Sequence, residues 1–150
     1  MADIDPMDAR ILQALESDGR LTNAALAEKV GLSASATLRR VQALERAGVI
    51  TGFRAQIDRG KLGRGFAAYV AVGLSSHTRE AQWSFEYAMA AAPEVIECHN
   101  ITGTIEYLLR IEVADLAAYK RFHTDGLGTH PQVTSITSYV VMASPKDLRA

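Results

Sequence analysis

Near Gly48 the hydrophobic period of this chain changes from that of helices to that of strands, so its 150 residues must hold two different kinds of packing. Three short amphipathic helices are expected before that point. Asp5 followed by Pro6 offers an N-cap and a first-turn proline, and Met7, Ile11, Leu12 and Leu15 form an apolar stripe that Asp18 and Gly19 end. Thr22 caps a second helix with Ala25, Leu26 and Val30 inward, closed by Gly31 in the left-handed conformation. Ser33 caps a third. Its Ala34, Leu38, Val41 and Leu44 recur at i, i+4, i+7 and i+10, which predicts one buried stripe up to Gly48. Only Gly31 and Leu32 separate the second helix from the third, so residues 1–50 read as a helix-turn-helix domain.

After Gly48 the apolar runs are short. Val49–Ile57 reads as a strand and Asp58–Gly65, with three glycines, as a linker, which makes 51–65 a strand-and-linker segment between two domains. Phe66–Ser75 alternates, with Phe66, Ala68, Val70, Val72 and Leu74 on one face. Arg79–Ala92 is helical and Pro93 stops it. Val95–Thr102 and Ile105–Val113 predict a hairpin turning at Gly103 and Thr104. Asp115 then caps a helix with Leu116, Tyr119 and Phe122 inward, and Val133–Met142 closes as a last strand. The order over 66–143 is βαββαβ, a ferredoxin-like antiparallel sheet, with 144–150 as a tail. The fold class is α+β.

Two helices can cover only one face of a four-stranded sheet. The other carries Ala67, Tyr69, Ala71, Gly73 and Leu108, too apolar and too small for a fully solvated face. A second copy of the chain is the natural cover, which predicts at least a symmetric dimer.

Charge is unevenly distributed. Met1–Glu28 holds two basic and six acidic residues, whereas Arg39–Arg64 holds seven basic (Arg39, Arg40, Arg46, Arg54, Arg59, Lys61, Arg64) against Glu45 and Asp58. A cationic segment in an otherwise acidic chain is the footprint expected where phosphates are met, although arginines also solvate helix faces and linkers. The acidic start lacks the basic, then apolar, character of a signal peptide, and no apolar run approaches the roughly 20 residues that span a bilayer. Cys98 is the only cysteine, so no intramolecular disulfide forms, and the cytoplasm is the expected compartment.

In a helix-turn-helix the third helix enters the major groove of double-stranded DNA with its N-terminal residues at base edges. Ser33, Ser35, Ala36 and Arg39 are expected near bases, Arg40 and Arg46 on phosphates, with Thr22 and Gln42 in the same set. A three-helix bundle serving only protein contacts remains open at this point. Catalytic readings are weaker. His77, His99, His123 and His130 lack metal-ligand spacing, and Cys98 beside His99 on a strand would point to the opposite face, which favours a structural thiol. Trp83, Phe85 and Tyr87 read as core, and no phosphate-binding glycine loop supports a nucleotide cofactor. A small ferredoxin-like enzyme or regulatory subunit, with helices for assembly only, is the competing function.

The segments DARILQALESDGRLTNAALAEKVGLS and TLRRVQALERAGVITGF, then ECHNITGTIEYLLRI and VTSITSYVVM, resemble the Lrp/AsnC or feast/famine transcription regulators over almost the whole chain. The resemblance implies a dimer that assembles into octamers or related forms, binds DNA through paired heads and senses an amino acid. It implies an effector between dimers, near the turn Thr102–Tyr107 and the final strand. Family members usually read Gly, Asp, an aromatic, Asp, Tyr in that turn, whereas here Gly103 is followed by Thr104, Ile105, Glu106 and Tyr107. An amino acid needs an acceptor for its ammonium and donors for its carboxylate. Gly103 lets the backbone approach closely, Thr104 supplies a hydroxyl and Glu106 a carboxylate, while Thr134, Ser135, Thr137 and Ser138 add hydroxyls of which period two aims only some at one cleft.

Overall fold

A computed structural model of the chain describes residues 4–147. Two compact units, Met1–Gln56 and Ile57–Ala150, meet inside the expected strand-and-linker segment. The first unit holds α1 (Pro6–Ser17), α2 (Asn23–Val30) and α3 (Ala34–Arg46). All three N-caps act as the sequence predicts. The Asp8 N–H donates to the Asp5 carboxylate at 2.8 Å, and the Ala25 and Ala36 N–H groups donate to the Thr22 and Ser33 hydroxyls, each at 3.2 Å. Gly31 ends α2 with φ +77°. Ile11, Ala14, Leu26, Val30 and Leu44 form the core, ringed by residues that include Met7, Leu15 and Val41.

The buried side of α3 differs from the expected stripe. Thr37 is fully buried, whereas Leu38 is 45% exposed and Ala34 is also exposed. Its first turns are therefore rotated by about one residue, and the leucine faces outward. The expected strand Val49–Ile57 does not form either. Val49 and Ile50 pack on the helical core, residues 51–57 adopt no regular structure, and Phe53 and Ile57 are exposed. A strand needs a neighbour to take its N–H and C=O groups, and the described residues supply none beside this segment.

The second unit holds β1 (Phe66–Leu74), α4 (Arg79–Ala91), β2 (Val95–Asn100), β3 (Tyr107–Val113), α5 (Leu116–Arg121) and β4 (Val133–Val140), with α5 continued by a π-helical turn, Phe122–Leu127. The strands pair antiparallel in the order β2-β3-β1-β4, the ferredoxin-like topology. One face packs Ala68, Val70, Val72, Tyr107, Leu109 and Ile111 against Phe85 and Met89 of α4 and Tyr119 of α5. Leu116, expected inward, is 63% exposed. Trp83 and Tyr87, expected in the core, are exposed as well, and their rings stack 5.6 Å apart on the outer side of α4. A helix of 13 residues lying on a sheet buries one stripe, and Ala81, Phe85 and Met89 already fill it.

The opposite face carries Ala67, Tyr69, Ala71 and Gly73 on β1, opposite Leu108 and Arg110 on β3 and Ser135, Thr137 and Tyr139 on β4. Part of it is covered by the chain itself. The Arg110 guanidinium donates to Asp147 at 2.8 Å, and residues 141–147 form one wall of a cleft against Tyr69 and Tyr139. The linker is held to this unit by Arg59, 3.5 Å from the buried Glu112 carboxylate, and by Arg64, which donates to the Pro93 carbonyl at 3.2 Å. No helix among the described residues is long and apolar enough to cross a membrane.

Candidate nucleic-acid interface and effector turn

Because Thr37 and Leu44 face the core, α3 turns a stripe of Ser35, Leu38, Arg39, Gln42 and Arg46 to solvent. Arg39 and Arg46 enter no ion pair among the described residues, so their guanidinium donors remain available to phosphate or guanine. Gln42 has the donor and acceptor that suit adenine, and the outward Leu38 offers the apolar contact that suits a thymine methyl. Ser33 and Thr22 sit at helix N-termini, where hydroxyls and free N–H groups favour an anion. Their oxygens already accept the capping bonds, and truncating either cap costs about 1 kcal/mol. Ser33 and Ser35 hydroxyls lie 3.3 Å apart, and Ala36 is half-buried behind them.

Arg40 is placed differently from its expected role. A single nitrogen, Nη1, donates to Asp5 Oδ2 and to Asp8 Oδ1, each at 2.7 Å. The backbone N–H of Asp8 and the Arg40 guanidinium together hold the Asp5 carboxyl below its ordinary range, and the two carboxylates raise Arg40 in turn. The guanidinium that sequence reading assigns to a phosphate is thus engaged by α1. No local pattern marks this, since its partners lie 32 and 35 residues away.

In the second unit the loop 101–106 is longer than the expected two-residue turn and is closed by the Ile101 N–H donating to the Glu106 carbonyl at 2.9 Å. Gly103 has φ +137°, a conformation that side chains resist. Thr102, Gly103 and Thr104 form the exposed tip. Glu106 turns back onto the sheet: its Oε2 accepts the Leu74 N–H at 2.7 Å, and its Oε1 lies 3.3 Å from His77 Nδ1. Beside it, Gly73 lies close against Ser135, and a Cβ there would force the Ser135 hydroxyl to turn away. The Thr134 hydroxyl donates to the Gly73 carbonyl at 3.1 Å, and Thr137 lies one pair further along the same face, opposite Ala71.

The structure therefore gathers Glu106, Thr134 and Ser135 around Gly73, a residue sequence reading did not place in the site. Tyr107 is not among them. It is fully buried, 4.7 Å from the Phe85 ring, and its hydroxyl donates to Glu86 at 2.7 Å. Burial pushes its hydroxyl up to about 12. Period two explains the difference, since the residue after Glu106 must face the helices. Ser138 likewise faces the helix side, bonded to the Tyr119 hydroxyl. Cys98 packs against the core, where burial pushes its thiol up to about 11, so it stays protonated at neutral pH and lacks the character of a nucleophile. His99 points to the other face, 3.2 Å from Glu97.

Residues 4–51 match the family model of winged helix-turn-helix DNA-binding domains, and residues 67–150 match that of the Lrp/AsnC ligand binding domain. A DNA-binding head joined to a ligand-binding domain is a transcription regulator. The chain belongs to the Lrp/AsnC family of these regulators. It is 42% identical to the Bkd operon transcriptional regulator of Pseudomonas aeruginosa over 144 residues, covering 96% of this chain and 94% of that one. It is 35% identical to the leucine-responsive regulatory protein of Escherichia coli, covering 96% and 88%. Among solved structures, a transcriptional regulator of Neisseria meningitidis in complex with L-Met superposes with a TM-score of 0.92 at 34% identity, covering 97% of this chain and 94% of that one.

Proposed function

We propose that this regulator reads double-stranded DNA through the exposed stripe of α3 and that an amino acid, bound between copies of the chain at the Glu106 turn, modulates it in the cytoplasm. The observation that carries the reading is that Ser35, Leu38, Arg39, Gln42 and Arg46 share one outward face while both arginines enter no ion pair among the described residues. Ser35, Leu38, Arg39 and Gln42 meet base edges, and Arg46 meets phosphate, with Ser33 and Thr22 at the backbone. Arg39→Ala should lose about 1–3 kcal/mol on a cognate duplex and relax preference at one position, and the salt slope should fall by about one if Arg39 also neutralises a phosphate. Titration of cognate and scrambled duplexes at several salt concentrations reads all three. Equal affinity of parent and variant on both duplexes would remove α3 from the interface.

The effector end follows from the Gly73 cluster. Glu106 keeps lone pairs for an ammonium beyond its bond to Leu74, and the Ser135 hydroxyl and loop N–H groups suit a carboxylate. Thr104 at the tip lacks the charge of an aspartate, which favours an apolar amino acid; the Neisseria relative was solved with L-Met. The open sheet face pairs two chains, and the effector acts where such dimers meet in a higher assembly, an octamer in the simplest case. A thermal-shift screen of the twenty amino acids should find the ligand. Glu106→Gln preserves the acceptor for Leu74 but removes the charge, and should weaken binding by about 1.5–3 kcal/mol. Tyr107→Phe, on the other side of the sheet, should bind normally; the turn is misread if the Gln variant binds as well as the parent.

A further inference from the structure

The first turns of α3 have little apolar attachment to the rest of their unit. Within the helix only Thr37 and Leu44 are buried, and Leu44 lies near the C-terminal end. The Thr37 hydroxyl donates to the Ser33 carbonyl at 3.0 Å, a bond internal to the α3 segment that adds no tie to a neighbour. Leu32 just before the helix and Val41 in its middle pack half-buried on the core, and the other ties of the first turns are polar. Asn23 Nδ2 at the start of α2 donates to the Ala34 carbonyl at 2.7 Å, and Arg40 reaches Asp5 and Asp8 at the start of α1. Directional bonds fix an angle where soft apolar contacts would not. Readout of base edges needs donors held to within about 0.5 Å and 10–20°.

We infer that Arg40 is a positioning residue of the DNA reader: clamped by Asp5 and Asp8, it sets the angle at which α3 presents Ser35, Leu38 and Arg39, and it does not itself contact a phosphate. The inference rests on the reading of α3 as the DNA-contacting helix. It accounts for two carboxylates held in a domain that meets a polyanion, where an uncompensated charge would repel the ligand. The Asp8 side chain is only 14% exposed against 45% for Asp5, with Arg40 at 32%, so the Asp8 arm of the clamp is the better shielded from solvent screening.

Electrostatics alone and positioning predict opposite signs, which makes the test decisive. Removing a negative charge by Asp8→Asn should strengthen DNA binding if charge is all that matters, the more so if it frees Arg40 for phosphate. Positioning predicts about tenfold weaker binding with the slope of log affinity against log salt unchanged. Asp8→Glu retains the charge and displaces the carboxylate by one methylene, and should weaken binding in the same direction. In a double-mutant cycle the losses from Asp8→Asn and Arg40→Ala should not add. All affinities are taken on the full chain, at a temperature where circular dichroism shows each variant folded. Unchanged or tighter binding by both Asp8 variants overturns the inference, as does a slope lowered by about one in Arg40→Ala. Arg39→Ala serves as the reference: its lack of effect would indict the placement of α3 on DNA, whereas a normal Arg39→Ala loss beside inert Asp8 variants would indict the clamp alone.

Discussion

Ala71→Arg is expected to reduce the proposed dimer to a monomer of 16.2 kDa and to weaken its binding to a two-half-site duplex by about 10²–10⁴-fold. Ala71 lies on β1, an inner strand of the sheet, opposite Leu108 on one side and Thr137 on the other. Its face points away from α4 and α5. Residues 141–147 cover the Tyr69 and Tyr139 end, which leaves Ala71 and Leu108 as the small, apolar part that a second chain would fill. Ala71 is only 7% exposed in the single chain, so an arginine there must lift its guanidinium past the neighbouring Leu108 and Thr137 side chains to reach water. Pressed into an interface, it is a desolvated charge without a partner, which costs several kcal/mol. The DNA loss follows because a monomer engages one half-site and forfeits the effective concentration that links two. Light scattering at micromolar concentration reads the mass. Persistence of a dimer with parental DNA affinity would place the interface elsewhere, and Ala71→Ser, small and uncharged, should behave as the parent.

Phe85→Ala should destabilise the ligand-binding domain by about 3–5 kcal/mol, a large share of the 5–15 kcal/mol that holds a typical domain. The ring is fully buried, 4.7 Å from Tyr107 and edge-on to His130 at 5.4 Å. Its removal leaves a cavity under the residue that follows Glu106, so the base of the Glu106 turn, the proposed effector site, loses its support. Amino-acid binding should fall with stability, while the helices of residues 4–51, whose core contains none of these rings, retain their helical signal. Calorimetry checks the size, since each kcal/mol lowers Tm by about 4–8 °C in a domain of this length, and a fall of under about 4 °C would contradict the assignment of Phe85 as the central ring.

Local chemistry was legible in the sequence. The caps Asp5, Thr22, Ser33 and Asp115 were readable because each serves an N–H three residues away, and the alternation of β1 and β3 was readable because period two is written in the residues themselves. What failed depended on distant partners. Leu38 has the character of a core residue, and only the full burial of Thr37 beside it shows which side of α3 is inward. Arg40 reads as one more cation until Asp5 and Asp8 are placed beside it. Tyr107 sits in a turn motif yet belongs to the core, and Gly73 enters the site only through its pairing with Ser135 across β1 and β4. The π-helical turn Phe122–Leu127 carries no local signal, and Val49–Ile57 has the composition of a strand without a strand beside it in the chain.

The exposed stripe of α3 has an evolutionary consequence. Ser35, Leu38, Arg39 and Gln42 contribute nothing to the core of their domain, so each can be exchanged with little effect on folding. A duplicated copy of such a gene is thus free to drift toward a new operator by single steps. Asp5, Asp8 and Arg40 have less freedom, because losing Arg40 leaves two carboxylates side by side without a cation, and losing either aspartate removes one of the two bonds that hold Arg40 Nη1. Lineages descending from this chain should diversify rapidly at the four outward positions and change the clamp only as a set.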